Sequence, residues 1–188
     1  MSEVYQAPPQ ANPPNRKRLI ATILVIIGIV GIGFILLILL NLFVVRPIRV
    51  EGTAMAPTLN NGDKIFVSKR LGTLTRGDIV VFYYPGDTSK SFIKRIIGLP
   101  GERLDIDADG HLTINERILK EDYIEPARNQ AAQQRWNRVR PEWKDLKPGQ
   151  YFLLGDNRDV SNDSRSWGPV PADLIYAKYI FRYWSGRN

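Results

Sequence analysis

The chain has no cysteine and a single histidine, His111. Disulfides, thiolate chemistry and cysteine-rich zinc sites are therefore excluded, and so is a histidine-cluster metal site. One histidine also argues against a Ser-His-Asp triad, so any hydrolytic chemistry must find its base elsewhere. Charge of one sign is in the minority, with 19 acidic residues against 26 basic for a net +7. The basic residues are scattered rather than gathered on one helix or arm, which argues against nucleic acid and for a surface lying near anionic lipid.

Long apolar runs are absent with one exception. Residues 19–45, LIATILVIIGIVGIGFILLILLNLFVV, carry no charge and only Thr22 and Asn41 as polar interruptions. As a helix rising ~1.5 Å per residue the run would reach roughly 40 Å, more than the ~30 Å of hydrocarbon in a bilayer. It is too long for the apolar region of a cleaved signal peptide and ends at Arg46-Pro47, so it is read as a retained membrane anchor. Arg16, Lys17 and Arg18 precede it, which predicts residues 1–18 on the cytoplasmic side and residues 46–188 outside. The proline-rich tail 1–18 is expected to be disordered.

After the anchor the pattern changes to short runs rich in Val, Ile, Phe and Tyr, such as KIFVSKRL, DIVVFYYP, SFIKRIIG and YAKYIFRYW. Turn signals separate them, among them Asn61-Gly62-Asp63 and Pro100-Gly101. The spacing predicts a mainly β fold, an antiparallel sheet tethered by one N-terminal transmembrane helix. RLDIDADGHLTIN alternates on both sides of Ala108-Asp109-Gly110 and predicts a hairpin. Residues 120–147 are polar and weakly periodic, and the stretch near 104–148 reads as a cap-like insertion with one short helix near Asn129–Arg138. Trp136 and Trp143 are candidates to anchor it.

In a strand SFIKRIIG, Phe92, Lys94 and Ile96 share one face while Ile93, Arg95 and Ile97 share the other. Lys94 then has apolar neighbours on its own side. It either snorkels to water or to a carboxylate, or it serves as a general base with a pKa drawn from about 10.4 toward 7–8. Strand periodicity leaves both open.

Four blocks settle the choice by resemblance: GTAMAPTL at Gly52–Leu59, RGDIVVF at Arg76–Phe82, KRIIGLPGE at Lys94–Glu102, and GDNRDVSNDSRSWGPV at Gly155–Val170. In this order and spacing they resemble the type I signal peptidases, membrane-anchored serine endopeptidases that remove signal peptides from exported preproteins. The resemblance covers residues 46–182 and the anchor. The family's first block is normally Ser-Met-x-Pro-Thr-Leu; Met55, Pro57, Thr58 and Leu59 match, and Ala54 stands in the serine slot. Either the alanine was engineered into a catalytic chain, or the chain is a natural non-catalytic paralogue that binds signal peptides or export partners. In both cases the chain as written is expected to be inactive.

The resemblance further implies a Ser/Lys mechanism without metal or cofactor. Lys94 is the general base, Ser161 orients its ammonium, and the backbone N–H of Ala54 meets the oxyanion. Some relatives place a serine hydroxyl two residues before the nucleophile; Gly52 stands there, which leaves the second oxyanion donor open. Asp163 with Arg165, joined by Arg95, is expected to hold this arrangement in place. Ile48, Val50, Met55, Leu59, Val81, Phe92 and Ile93 are expected to line shallow pockets for small-x-small cleavage sites. The implied partners are signal peptides, the lipid bilayer and the protein export machinery. The implied location is the inner or plasma membrane, or the thylakoid membrane in a photosynthetic source.

Overall fold

The computed structural model describes residues 16–107, 109, 111–124 and 135–186. The chain divides into two units, Met1–Phe43 and Val44–Asn188. In the first, α1 (Arg16–Val44) has no buried side chain over residues 16–39 and is long and apolar enough to cross a membrane. The helix stops one residue short of the predicted anchor. Val45 instead opens a strand, because Pro47 cannot continue a helix and biases the residue before it toward extended backbone.

The second unit is built on a seven-stranded sheet in the order β1-β2-β10-β3-β4-β8-β9. Its strands are β1 (Val45–Arg49), β2 (Lys64–Ser68), β3 (Ile79–Tyr84), β4 (Asp87–Gly98), β8 (Gln150–Leu154), β9 (Val170–Pro171) and β10 (Ile175–Trp184). Every neighbouring pair is antiparallel. A second sheet joins β5 (Leu104–Ile106), β6 (Leu112–Ile114) and β7 (Arg117–Ile118). A one-turn helix, α2 (Ser164–Trp167), follows β8.

The alternation IVVF explains why β3 is central. Ile79 and Val81 join one core with Val50, Met55, Leu59, Ile65 and Val67, while Val80 and Phe82 join another with Ile96, Leu153, Val170 and Ile175. A strand buried on both faces needs such a run, and each large side chain so buried contributes about 1.5–3 kcal/mol. β10 lies between β2 and β3, pairing with β3 through its first residues and with β2 through the rest, where its register shifts at Tyr179–Phe181 and Arg182–Trp184.

β4 is longer than the run SFIKRIIG suggested, and its two ends have different neighbours. Among the described residues its first half pairs with β3 alone; β8 joins at Arg95, Ile96 and Gly98. Gly98 lets the small sheet close down, since a Cβ there would lie 2.6 Å from Leu146 and 2.7 Å from Leu104. The third core lies here, with Trp136, Val139 and Leu146 from the insertion packed on Ile97, Leu104 and Phe152, and Trp143 against its margin. The predicted helix near Asn129–Arg138 lies largely outside the described residues; Arg135 and Trp136 are helical and the chain turns after them. The hairpin between β5 and β6 is closed by Asp107, whose Oδ1 accepts from the N–H groups of Asp109 and His111.

Candidate active site

β1 runs through Val50 into a tight turn that carries Ala54. Gly52 turns the chain at φ +81°, and its N–H donates to Asn61 Oδ1 at 2.9 Å. Beyond it, Leu59 N–H closes on Met55 O at 2.8 Å, and the side chains of Met55 and Leu59 are buried in the core. The Ala54 methyl is thereby held half-buried on a short, pinned segment. Among the described residues no acceptor meets the Ala54 N–H.

The loop after β8 clamps this turn from the other side. Asn157 N–H donates to Ala54 O at 3.0 Å, and its side-chain amide donates to Thr53 O at 3.1 Å. Gly155 is glycine by necessity, because a Cβ there would lie 2.2 Å from Ser161 Oγ and 2.4 Å from Ala54 O. Ser161 and the Ala54 peptide therefore share the space over one residue. Ser161 is fully buried, and its Oγ makes no hydrogen bond of ordinary geometry. It does lie close enough to the Asp163 carboxylate to be among the lesser influences that lower the pKa of that acid.

Lys94 enters from β4, opposite Val80 of β3. Only 3% of the residue is exposed. Its Nζ lies 5.5 Å from the centre of the Phe92 ring and donates to Ile93 O at 3.1 Å. Burial lowers its pKa from 10.5 to about 8, against the opposing pull of Asp163 and Asp156, with Arg165 adding to the depression. About a tenth of the amine is thus neutral at pH 7 and about half at pH 8, the state a general base requires.

Lys94 lines a cleft of about 260 Å³ together with Ile48, Val50, Gly52, Met55, Val81, Phe92 and Ile93. Leu59 is not in that lining but buried in the core that supports it. Ala54 and Ser161 are also outside the lining, with Ala54 next in the chain to Met55.

The charged residues of the last block form a buried lattice. Asp163 caps α2 and receives Arg165 through Nε at 2.8 Å and Nη2 at 2.9 Å, while its Oδ2 accepts from Gly155 N–H at 3.2 Å. Burial works against charge on Asp163, but Arg165, with smaller help from Ser161 and the Gly155 N–H, holds the carboxyl below its ordinary value. Arg95 does not join that pair. It grips Asp156 at 2.8 and 2.5 Å and also reaches Gly77 O and Thr58 Oγ1.

Two residues of the polar insertion belong to the same lattice with no sign of it in the sequence. Glu121 receives both terminal nitrogens of Arg158, and Tyr123 donates to Glu121 while lying 4.0 Å beneath the Arg95 guanidinium. Lone acidic and aromatic residues in a polar stretch carry no periodicity that would announce a partner as distant as Arg158 is from Glu121, 37 positions on.

Among the described residues, Asp107, Asp109 and His111 are the group whose ligand atoms approach closely enough for a metal ion, within 4.8 Å of one another. They sit on the β5–β6 hairpin and contribute nothing to the cleft lining.

Comparison with known proteins bears on this site. A family model described as signal peptidase, peptidase S26 matches residues 16–184. Signal peptidase IB of Staphylococcus aureus (strain COL) is 31% identical over 169 residues, covering 82% of this chain and 86% of that protein. Signal peptidase I of Pseudomonas fluorescens is 34% identical over 179 residues, covering 76% of this chain and 62% of that protein. A crystal structure of a signal peptidase I from Enterococcus faecalis V583 is 31% identical, covers 58% of this chain and 98% of that chain, and superposes with a TM-score of 0.48.

Proposed function

The chain belongs to the signal peptidase family, peptidase S26, and from that premise we propose that it is built to receive a signal peptide at the Lys94 cleft and, with serine at position 54, to cut it. The family's activity is signal-peptide removal by a serine peptidase, and the chain is a single-pass membrane protein of that kind. The basic residues Arg16, Lys17 and Arg18 favour a cytoplasmic N-terminus with the β unit outside.

The reaction we infer uses the residues of this site together with a serine restored at position 54. With serine at 54, Oγ gives its proton to neutral Lys94 Nζ as it attacks the scissile carbonyl. The free N–H of residue 54 receives the oxyanion, and the lysine ammonium then returns the proton to the departing amine. Lys94 next takes a proton from water as its oxygen attacks the acyl ester. The ammonium then returns that proton to the departing serine Oγ, releasing the carboxylic acid and restoring serine and neutral lysine. Ser161, packed beside the Ala54 peptide with its Oγ unpartnered among the described residues, is the hydroxyl we assign to orienting the lysine during the reaction, although in this structure Lys94 Nζ donates to Ile93 O instead. The Asp163–Arg165 pair holds the loop that carries Ser161.

Substrate binding needs no hydroxyl. The first half of β4, Asp87–Lys94, lacks a described strand partner on its β8 side. An extended peptide there would complete the ladder, with its small side chains facing Ile48, Val50, Met55 and Ile93. The alanine, introduced into a catalytic chain or carried by a non-catalytic paralogue, leaves this capacity and removes the nucleophile.

What carries the reading is one observation: a lysine 3% exposed, its amine lowered to about 8 by burial, lines the same cleft as the apolar candidates for substrate pockets. The test is cleavage of a preprotein with a small-x-small junction in detergent. Ala54→Ser is expected to cut it and the parent chain to bind without cutting. A correctly folded Ala54→Ser chain that remains inert would favour the non-catalytic paralogue.

A further inference from the structure

A second cleft, of about 290 Å³, is lined by Arg135, Arg138, Arg140, Arg165, Trp143 and Ser166. Four guanidinium groups of like charge repel one another, yet among the described residues only one of them has an acidic partner. That one is Arg165, which is itself buried and gives Nε and Nη2 to Asp163 and a further bond from Nη2 to Arg158 O. Its Nη1 is buried and, among the described residues, donates to nothing. Arg135 gives Nη1 to Ser161 O at 2.7 Å and keeps its other donors. Arg140 lies with its guanidinium 4.9 Å from the centre of the Trp143 ring, a stacking that leaves the N–H edge available. Ser166 adds a hydroxyl on an exposed residue.

A buried N–H left unmet beside three further arginines calls for a partner, and an anion is the partner that would also offset their mutual repulsion. The planar, many-donor guanidinium matches the oxygens of a phosphate, whether free or in a phosphodiester, and several such groups together suit its multiple acceptor oxygens better than a carboxylate's two. We propose that this cleft binds a phosphate group, supplied either by free phosphate or by the headgroup of an anionic phospholipid. The site would not be isolated from the chemistry. Arg165 holds Asp163, and Arg135 holds the carbonyl of Ser161, so an anion here ties down both supports of the Ser161 loop.

The test uses the full chain in neutral detergent, following its melting temperature and tryptophan fluorescence. The first arm titrates inorganic phosphate against chloride at matched ionic strength. The second replaces the detergent with vesicles of pure phosphatidylcholine or of phosphatidylcholine with phosphatidylglycerol. Each arm compares the parent with Arg138→Gln/Arg140→Gln, both exposed positions, and with Lys120→Gln/Lys147→Gln, which removes the same charge elsewhere on the surface.

The expected result is stabilisation by phosphate and not by chloride, with affinity at least about tenfold weaker in the arginine variant and unchanged in the lysine variant. Stabilisation seen only with phosphatidylglycerol, and lost in the arginine variant alone, supports the site with lipid as its source. No stabilisation in either arm, or equal losses in the two variants, overturns the proposal.

Discussion

Replacing Lys94 with methionine should stabilise this protein near neutral pH, although it removes the residue most closely tied to its chemistry. The folded state holds Lys94 at a pKa of about 8 against 10.5 for the ordinary amine, chiefly because the residue is only 3% exposed. The unfolded chain therefore keeps a proton between about pH 8 and 10.5 that the folded chain has released. Stability rises with pH across that window, and below it the full cost of charging a buried amine is present. At ~1.4 kcal/mol for each pH unit of displacement that cost is about 3 kcal/mol. Methionine has similar length and no charge, so the gradient disappears. The assay is reversible urea unfolding of parent and variant in the same mild detergent, followed by tryptophan fluorescence at about pH 7 and pH 10. The advantage of Lys94→Met should shrink by about 2–3 kcal/mol on going to the higher pH, whatever constant difference the lost packing leaves. Other titrating groups are common to both proteins and cancel. Parallel pH dependence in the two would refute the argument, because it would mean the amine is solvated in the folded state.

Two further substitutions probe the loop behind the site. Gly155→Ala places a methyl against Ser161 Oγ and Ala54 O, so it should destabilise the fold by at least about 1–3 kcal/mol in thermal melts and abolish cleavage when combined with Ala54→Ser. Asp163→Asn leaves the buried Arg165 charge uncompensated, a loss of about 3–5 kcal/mol at neutral pH measured by urea unfolding. Because the Asp163 carboxyl is held below its ordinary value, its contribution is present above that value and fades as pH falls through the folded pKa. The gap between parent and Asp163→Asn should therefore narrow in acid. The same change removes a charge that raises the Lys94 pKa, so in the serine background the acidic limb of the rate profile should move to lower pH.

The parts of this fold that rest on local pattern were legible in the sequence. IVVF and SFIKRIIG announced strands, Pro47 marked the end of the helix, and the alternation around Lys94 put an amine among apolar neighbours. What local pattern does not encode is which distant residue answers a given charge. Arg95 was expected beside Asp163 and Arg165 and instead grips Asp156. Glu121 and Tyr123 came from a stretch with no periodicity, and their role exists only because the loop after β8 folds onto them. Leu59 belonged to the right block, yet its place in a tight turn faces it into the core rather than the cleft. Gly155 stood within a quoted motif, but only the closeness of Ser161 and Ala54 gives the reason for a glycine there.

The account depends most on a neutral Lys94 amine acting on whatever hydroxyl occupies position 54. The most direct measurement is the pH dependence of kcat/KM for preprotein cleavage by Ala54→Ser. It should rise with unit slope on the acid side and level off at an apparent pKa near 8, the value burial gives Lys94. A rate that stays level from about pH 6 to pH 10, or that survives the addition of Lys94→Met, would contradict it.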